Sequence, residues 1–338
     1  MNNGAHANAL PDDLPVSRSA VDNGVTDSPA ERGSGSARAP SGYCGRFAPS
    51  PTGPLHFGSL VAALASCLEA RRQGGRWLVR MDDLDTPRCA AVAATSILHS
   101  LDAFGFEYDE PLVWQSQRSE RYAQALAALQ MQALVYPCAC TRRELADSLL
   151  APDGASIYPG TCRNGLGTGR RAGSWRVCVG EQVIVFADRI QGAQHTHLAD
   201  EVGDFVVRRA DGLFAYQLAT VIDDADAGVT DVVRGADLLA STPRQIWLQH
   251  CLGLARPAYA HVPVAVNGAG EKLSKQTLAR ALDNAHPAPA LVSALRFLGQ
   301  NPPADLARAS QPEVWAWAHA NWHEARVPRL AAKLWKEE

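Results

Sequence analysis

Between Cys44 and Met81 the chain carries a pattern that few folds accommodate: a short apolar strand, a proline- and glycine-dense loop, an amphipathic helix and a second strand. Cys44 to Ala48 reads as the first strand and Pro49-Ser50-Pro51-Thr52-Gly53-Pro54 as the loop. In the helix, Leu60, Ala63, Leu64, Cys67 and Leu68 recur on one face of a 3.6-residue period. Gly74-Gly75 stops it, and Arg76 to Met81 reads as the second strand. Ile97, Leu98, Leu101 and Phe104 mark another amphipathic helix, closed by Gly105. Parallel neighbours need a crossover helix between them, so this order predicts the start of a doubly wound α/β sheet.

The rest of the chain is organised around that unit. Residues 1–42 contain no Phe, Trp or Tyr, too little apolar surface to offset the entropy of ordering, and are expected to be a disordered tail. The sheet domain is assigned to 43–118 and 213–280. Between them, 119–212 mixes a helix (Tyr122 to Ala133), several cysteines, a glycine-rich loop and β-like runs such as Val183 to Phe186, and reads as an insertion. The parallel pattern resumes with Leu213 to Ile222, Asp231-Val232-Val233, a helix around Arg244 to Leu252, and Val262 to Val266. Residues 281–338 read as a helical C-terminal region carrying Trp315, Trp317 and Trp322, expected to pack in a core.

Composition narrows the functional class. Apolar residues make up 46% and charged residues 20%, the balance of a soluble globular protein. A net charge of -3 argues against a general nucleic-acid coat while leaving room for local basic patches such as Arg142-Arg143, Arg170-Arg171 and Arg208-Arg209. There is no apolar run of 18 residues and no signal-peptide pattern, so a cytoplasmic protein is expected, without a membrane partner and as a monomer. In that compartment the eight cysteines should be thiols or metal ligands.

Two segments carry the chemistry. In the first, Arg46 to Ser59, a strand runs through the loop into a helix N-terminus bearing His56. Backbone N–H groups and the helix dipole there favour an anion such as a phosphate, which His56 can bond and Gly58 lets approach closely. An ordinary strand-to-helix turn capped by a histidine would look much the same. The second is Lys272-Leu273-Ser274-Lys275. The chain has only four lysines, and two of them lie in this tetrapeptide, which points to a need for flexible ammonium charges.

Together these segments resemble the class I aminoacyl-tRNA synthetases of the glutamyl/glutaminyl branch. The likeness runs from about Gly45 to Gln300 and takes in Arg80 to Asp85, Phe214 to Ala219, Val221 to Asp224 and Val233 to Asp237. It implies a Rossmann-like catalytic sheet and activation of L-glutamate with ATP, with Mg2+, to an adenylate. By position, Arg46 and Arg234 would grip the substrate's side-chain carboxylate, with Phe47, Ala48, Pro49, Ser50, Asp82 and Tyr216 completing the amino-acid pocket. A guanidinium pairs with a carboxylate through two N–H groups and rejects the neutral amide of glutamine. His56, Gly58 and Lys275 would hold ATP, and His56, Lys272 and Lys275 would stabilise charge building on the α-phosphate. This chain departs from the family pattern at Ser59, where the family has a second histidine, and at Asp82, where it has glutamate.

Cys138, Cys140 and Cys162 fall within 25 residues and suggest structural Zn2+, the residues leaving Tyr158, His195 or His197 open as fourth ligand. A subset of short family members binds zinc through C-x-C and Y-x-x-x-C, which implies Tyr158. The remaining cysteines are expected in apolar packing. Only 63 residues follow Lys275 (338 minus 275), less than a full anticodon-reading region. With the cysteine–tyrosine cluster, this resembles the branch that activates glutamate without tRNA. That branch transfers it to the cyclopentenediol of queuosine in the anticodon of tRNA(Asp). The alternatives are a minimal synthetase charging the tRNA 3′ end and an inactive RNA-binding relative.

Overall fold

The computed structural model describes residues 42–85, 89, 91–141, 143–145, 148–150, 154, 156–273 and 280–336. All but Gly42 of the expected disordered tail lies outside them. The first unit follows the sequence pattern closely: β1 (Cys44–Phe47), α1 (Phe57–Arg72), β2 (Arg76–Met81), α2 (Ala91–Ala103) and β3 (Val113–Trp114). Next come α3 (Ser119–Met131), β4 (Val135–Cys138), β5 (Ser174–Val177), β6 (Val183–Asp188), β7 (Gly192–His197), the one-turn α4 (Leu198–Glu201) and β8 (Phe205–Arg208). The chain continues through α5 (Tyr216–Asp226), β9 (Asp231–Gly235), α6 (Thr242–Leu252), β10 (Ala258–Val262) and β11 (Val264–Val266). It ends with α7 (Pro287–Phe297), α8 (Gln311–Asn321) and β12 (Ala332–Leu334).

β1, β2 and β3 pair in parallel, as do β9, β10 and β6, with β7 antiparallel on the far edge. β9 lies beside β1, where the Thr230 N–H donates to Cys44 O at 2.9 Å and the Cys44 N–H to Thr230 Oγ1 at 2.8 Å. The lateral order is therefore β3-β2-β1-β9-β10-β6-β7. It reverses between β1 and β9, the position at which open α/β sheets hold their ligands.

α1 packs at the centre of this arrangement. Leu60, Leu64 and Leu68 are each 1% exposed, and burying such side chains contributes roughly 1.5–3 kcal/mol apiece. The turn from α1 into β2 is tight: a Cβ on Gly75 would stand 2.3 Å from the Tyr43 carbonyl oxygen.

The stretch 119–212 divides its strands. β4, β5 and β8 form a separate antiparallel sheet, whereas β6 and β7 join the parallel sheet through β10. Val262 to Val266, expected as one strand, is broken at Pro263 into β10 and β11, which belong to different sheets.

The C-terminal region is helical only in part, because β12 pairs in parallel with β11. The residue directly after β12, Trp335, donates its backbone N–H to Val266 O at 2.9 Å and stacks on Phe57, the first residue of α1, at 4.4 Å between centroids. The expected packing of the other tryptophans holds. Trp322 is buried and donates to Glu69 at 2.7 Å, Trp315 donates to Phe104 O at 2.8 Å, and Trp317 packs against the same core. No described helix is long and apolar enough to cross a membrane.

Candidate active site

A cleft of about 670 Å³ opens where the strand order reverses. β1 and the loop after it supply Arg46, Phe47, Ala48, Pro49 and Ser50; α1 supplies His56, Gly58 and Ser59. Tyr216 heads α5, Arg234 and Gly235 end β9, and Asp237, Pro263, Lys272 and Leu273 close the far wall. Most of the expected site residues therefore share one cavity, although they span more than two hundred positions of sequence. Lys275 lies outside the described residues.

His56 is the N-cap of α1. Its Nδ1 accepts from the Ser59 N–H at 3.3 Å, so a neutral ring carries its proton on Nε2. A Cβ on Gly58 would stand 3.2 Å from the His56 ring, a tight contact to which the capping ring would have to give way by a few tenths of an ångström. No acidic residue stands in the first turn of α1, which leaves the positive end of its dipole uncompensated there. The Val266↔Lys272 bridge folds the lysine segment back on β11, and Lys272 forms an ion pair with Asp237.

The two arginines are held in opposite ways. Arg46, 4% exposed, donates Nε–H to both oxygens of Asp224 at 3.2 Å. Arg80 also donates to Asp224 (2.6 Å) and to Asp82 (2.7 Å), and Asp223 accepts from Gln115, Arg118 and Tyr122. Burial pushes the Asp224 carboxyl up, but the Arg46 and Arg80 guanidiniums, with Arg234 beyond, hold it below the usual carboxylate range. Arg234, 5% exposed, makes no ion pair among the described residues. Its bonds go to neutral acceptors: His261 Nε2 at 3.0 Å, Thr242 Oγ1 at 2.9 Å and Leu238 O at 3.3 Å. Among the described residues, its Nη1 is buried with no hydrogen-bond partner. A buried cation without a contacting anion is costly unless a ligand supplies one.

Asp82 departs from expectation. It does not line the cleft; it is 6% exposed and held by Arg80 two residues before it on the same side of the chain. Burial, aided by Asp223 and Asp224, pushes its carboxyl up to about 6 against the pull of Arg80. Arg80, Asp224, His261 and Asp237 were not singled out from sequence. Arg80, Asp224 and Asp237 lay in family-like segments without a role assigned; a histidine inside the apolar run Ala258 to Val262 was the available signal for His261.

The cysteine cluster forms as anticipated on the antiparallel sheet. Cys138, Cys140 and Cys162 have their sulfurs within 4.8 Å of one another, and among the described residues no histidine joins them. Tyr158 completes the group: its Oη stands 3.4 Å from the sulfurs of Cys138 and Cys140, and Cys140 and Cys162 are 3.6 Å apart. A tetrahedral zinc with Zn–S of about 2.3 Å and Zn–O of about 2.0 Å has S–S edges of about 3.8 Å and O–S edges of about 3.5 Å. The four side chains therefore fit that ion. Burial raises the Cys138 thiol, but hydrogen bonds from Tyr158, the Cys140 N–H and Arg176 pull it down to about 7. His195 and His197 lie on β7, their rings tilted at 55° to each other with centroids 5.4 Å apart. Of the other cysteines, Cys44, Cys67 and Cys251 are buried, whereas Cys89 and Cys178 are half-buried. Of the basic pairs, Arg170 bonds Ala139 O and Glu144, and Arg209 bonds Asp85 and Asp211; Arg142 lies outside the described residues.

Comparison with known proteins agrees with this geometry. The family model for tRNA synthetases class I (E and Q), catalytic domain, matches residues 44–321. A protein of Dechloromonas aromatica named glutamyl-Q tRNA(Asp) synthetase is 62% identical over 296 residues, covering 87% of this chain and 98% of that one. Proteins of the same name from Aromatoleum aromaticum (62% identical; 85% of this chain, 91% of theirs) and Thiobacillus denitrificans (55%; 86% and 96%) are similar over nearly their whole lengths. Among solved structures, a glutamate-tRNA synthetase from Elizabethkingia anophelis superposes with a TM-score of 0.72 at 22% identity, covering 88% of this chain and 68% of that one, which shows a common fold. The chain thus belongs to the class I tRNA synthetases of the glutamyl and glutaminyl kind, within the glutamyl-Q tRNA(Asp) synthetase family, and is an aminoacyl-tRNA synthetase-like ligase.

Proposed function

We propose that the protein activates L-glutamate with ATP, without tRNA, and transfers it to queuosine in the anticodon of tRNA(Asp). The observation that carries the glutamate reading is Arg234, a buried guanidinium with neutral partners and an unsatisfied Nη1 on the wall of the cleft. A side-chain carboxylate supplies the missing anion, and Arg46 offers a second guanidinium beside it; the amide of glutamine would leave the charge uncompensated. Tyr216, Ser50, Ala48, Phe47 and Pro49 enclose the amino acid, with Asp82 supporting the site through Arg80 instead of by contact.

In this reading a glutamate α-carboxylate oxygen attacks the α-phosphorus of ATP and the bond to the β-phosphate bridging oxygen breaks, releasing pyrophosphate. His56 Nε2–H, the N–H groups near Gly58, Lys272 and Lys275 stabilise the charge that builds there, and Mg2+ accompanies the phosphates. A hydroxyl of the queuosine cyclopentenediol then attacks the acyl carbon; AMP leaves and the hydroxyl proton is lost. Cys138, Cys140, Cys162 and Tyr158 would hold Zn2+, which would brace the antiparallel sheet and stand outside these steps. The queuosine acceptor rests on similarity to proteins of that name.

The test is direct. The protein should support glutamate-dependent ATP–pyrophosphate exchange without tRNA, and label from glutamate should appear on the queuosine nucleoside after digestion of queuosine-containing tRNA(Asp). Label on the 3′-terminal adenosine would refute the acceptor, and absence of exchange would refute the enzyme reading. Lys275→Ala should abolish exchange and leave zinc content unchanged.

A further inference from the structure

Arg234 is fixed from behind by a chain of contacts that crosses three neighbouring parallel strands. Asp188 ends β6, His261 lies on β10 as the register partner of Arg234, and Arg234 lies on β9. The side chains of Asp188 and His261 are both 0% exposed. Asp188 Oδ1 accepts three backbone N–H groups, from Ile190 (3.0 Å), Gln191 (2.8 Å) and His261 (3.1 Å), which leaves no freedom to rotate the carboxylate. Its Oδ2 faces His261 Nδ1 at 2.6 Å. The imidazole proton therefore sits on Nδ1, and Nε2 presents a lone pair to the Arg234 Nε–H at 3.0 Å.

We propose that Asp188 and His261 are positioning residues that set the enzyme's preference for a carboxylate over an amide in its amino-acid substrate, by holding the Arg234 guanidinium in place without neutralising it. The inference rests on the reading that Arg234 takes the side-chain carboxylate of glutamate. A carboxylate in direct contact with Arg234 would compete with the substrate. Here the counter-charge is set back behind an imidazole, so the guanidinium is oriented by a neutral acceptor and keeps its pull on a second anion. With Nε on His261 and Nη2 on Thr242 and Leu238 O, Nη1 is the donor left over.

Asp188→Asn separates this role from a merely structural one. The three backbone donors require an oxygen at the Oδ1 position, so the amide nitrogen must take the Oδ2 position and donate to His261 Nδ1. The imidazole proton then moves to Nε2 and meets the Arg234 Nε–H donor against donor, the wrong-tautomer effect known from catalytic triads. In ATP–pyrophosphate exchange, kcat/KM for glutamate should fall roughly 10- to 100-fold, the value of one charge-assisted hydrogen bond. The KM for ATP should stay within about two-fold, and the ratio of glutamate to glutamine exchange should narrow by the same factor as the fall.

His261→Gln and His261→Leu guard against misfolding of the first variant. The amide oxygen of Gln can take the Arg234 Nε–H, so His261→Gln should lose several-fold less discrimination than His261→Leu, and adding Asp188→Asn to it should cost little more. Folded variants of Asp188 and His261 that keep the wild-type glutamate-to-glutamine ratio would overturn the relay. Arg234→Met separates the two layers. If it leaves glutamate exchange intact, the glutamate reading itself fails; if it abolishes exchange while Asp188→Asn changes nothing, only the relay fails.

Discussion

Replacing Asp224 by Asn should unmask how much buried charge the active site stores. The substitution keeps the shape and removes one anion from contact with Arg46 (3.2 Å) and Arg80 (2.6 Å), which are 4% and 5% exposed. Arg80 retains Asp82 at 2.7 Å and Asp223 at 3.6 Å, so the newly uncompensated charge is that of Arg46. Breaking a buried pair from one side costs about 3–5 kcal/mol, because the surviving ion stays desolvated. With an m-value on the order of 3 kcal/mol/M, the urea midpoint should fall by about 1–1.7 M. Adding Arg46→Met removes the stranded cation and should recover at least half of that loss. Asp211→Asn, which breaks the exposed Arg209 pair at 2.6 Å, should cost about 1 kcal/mol or less and serves as the control. A loss below about 1 kcal/mol in Asp224→Asn, or no recovery in the double variant, would refute the account of a charge-balanced interior.

Acid should pull the site in two directions. Asp82 titrates near 6 in the folded protein against about 3.9 unfolded, so its contribution is fully present below pH 4 and is lost as pH rises through 6. Burial, with Arg234 near and Asp188 opposing, lowers His261 to about 4 against about 6.5 unfolded, so its contribution is present above 6.5 and lost as pH falls toward 4. Each amounts to about 3 kcal/mol and they offset; Asp82→Asn should make the protein more acid-sensitive than wild type between pH 7 and 4.5, and His261→Gln less so, as read by urea midpoints. Gly75→Ala must push β2 away from Tyr43, so its thermal midpoint should drop by several degrees, whereas Gly268→Ala, whose Cβ meets nothing within 4 Å, should change it by about a degree or less. Cys140→Ser should lower zinc content by metal analysis and melt the antiparallel sheet first, seen as faster amide exchange at Val135 to Cys138 than in β1.

What was legible in the sequence follows from the range of the interactions involved. β2 runs from Arg76 to Met81 as read, because the Gly74-Gly75 stop before it is a local signal and its side chains are buried without a break from Trp77 on. β6 was read as a strand but not as part of the parallel sheet. Its exposure alternates along its length, and its pairing with β10 is confined to its last residue, Asp188. Arg46 and Arg234, expected to grip the substrate carboxylate, both line the cleft, yet their opposite charge environments depend on Asp224 and His261, whose proximity only the folded chain reveals. Asp82 lies off the cleft for a reason of the same kind: its partner Arg80 is close in sequence, but Asp223 and Asp224, whose charges push its carboxyl up, come from over 140 positions away. β12 carried no readable signal, since three residues, Ala332 to Leu334, offer neither β-branching nor a period.

That short strand makes assembly of the site a long-range event. β12 pairs with β11, which leads directly into the lysine segment, while Trp335 rests on the first residue of the helix that His56 caps. Segments 278 positions apart, Phe57 and Trp335, must meet before both pieces proposed to handle the phosphates are braced. Contacts of such separation form late and slowly, because chain closure must precede any gain from them. Fragments that end before Ala332 should fold their central strands and still lack a rigid end to the cleft where phosphate binding is proposed. Appearance of exchange activity during refolding would then lag the recovery of helix signal, and that delay would time the docking of this last strand.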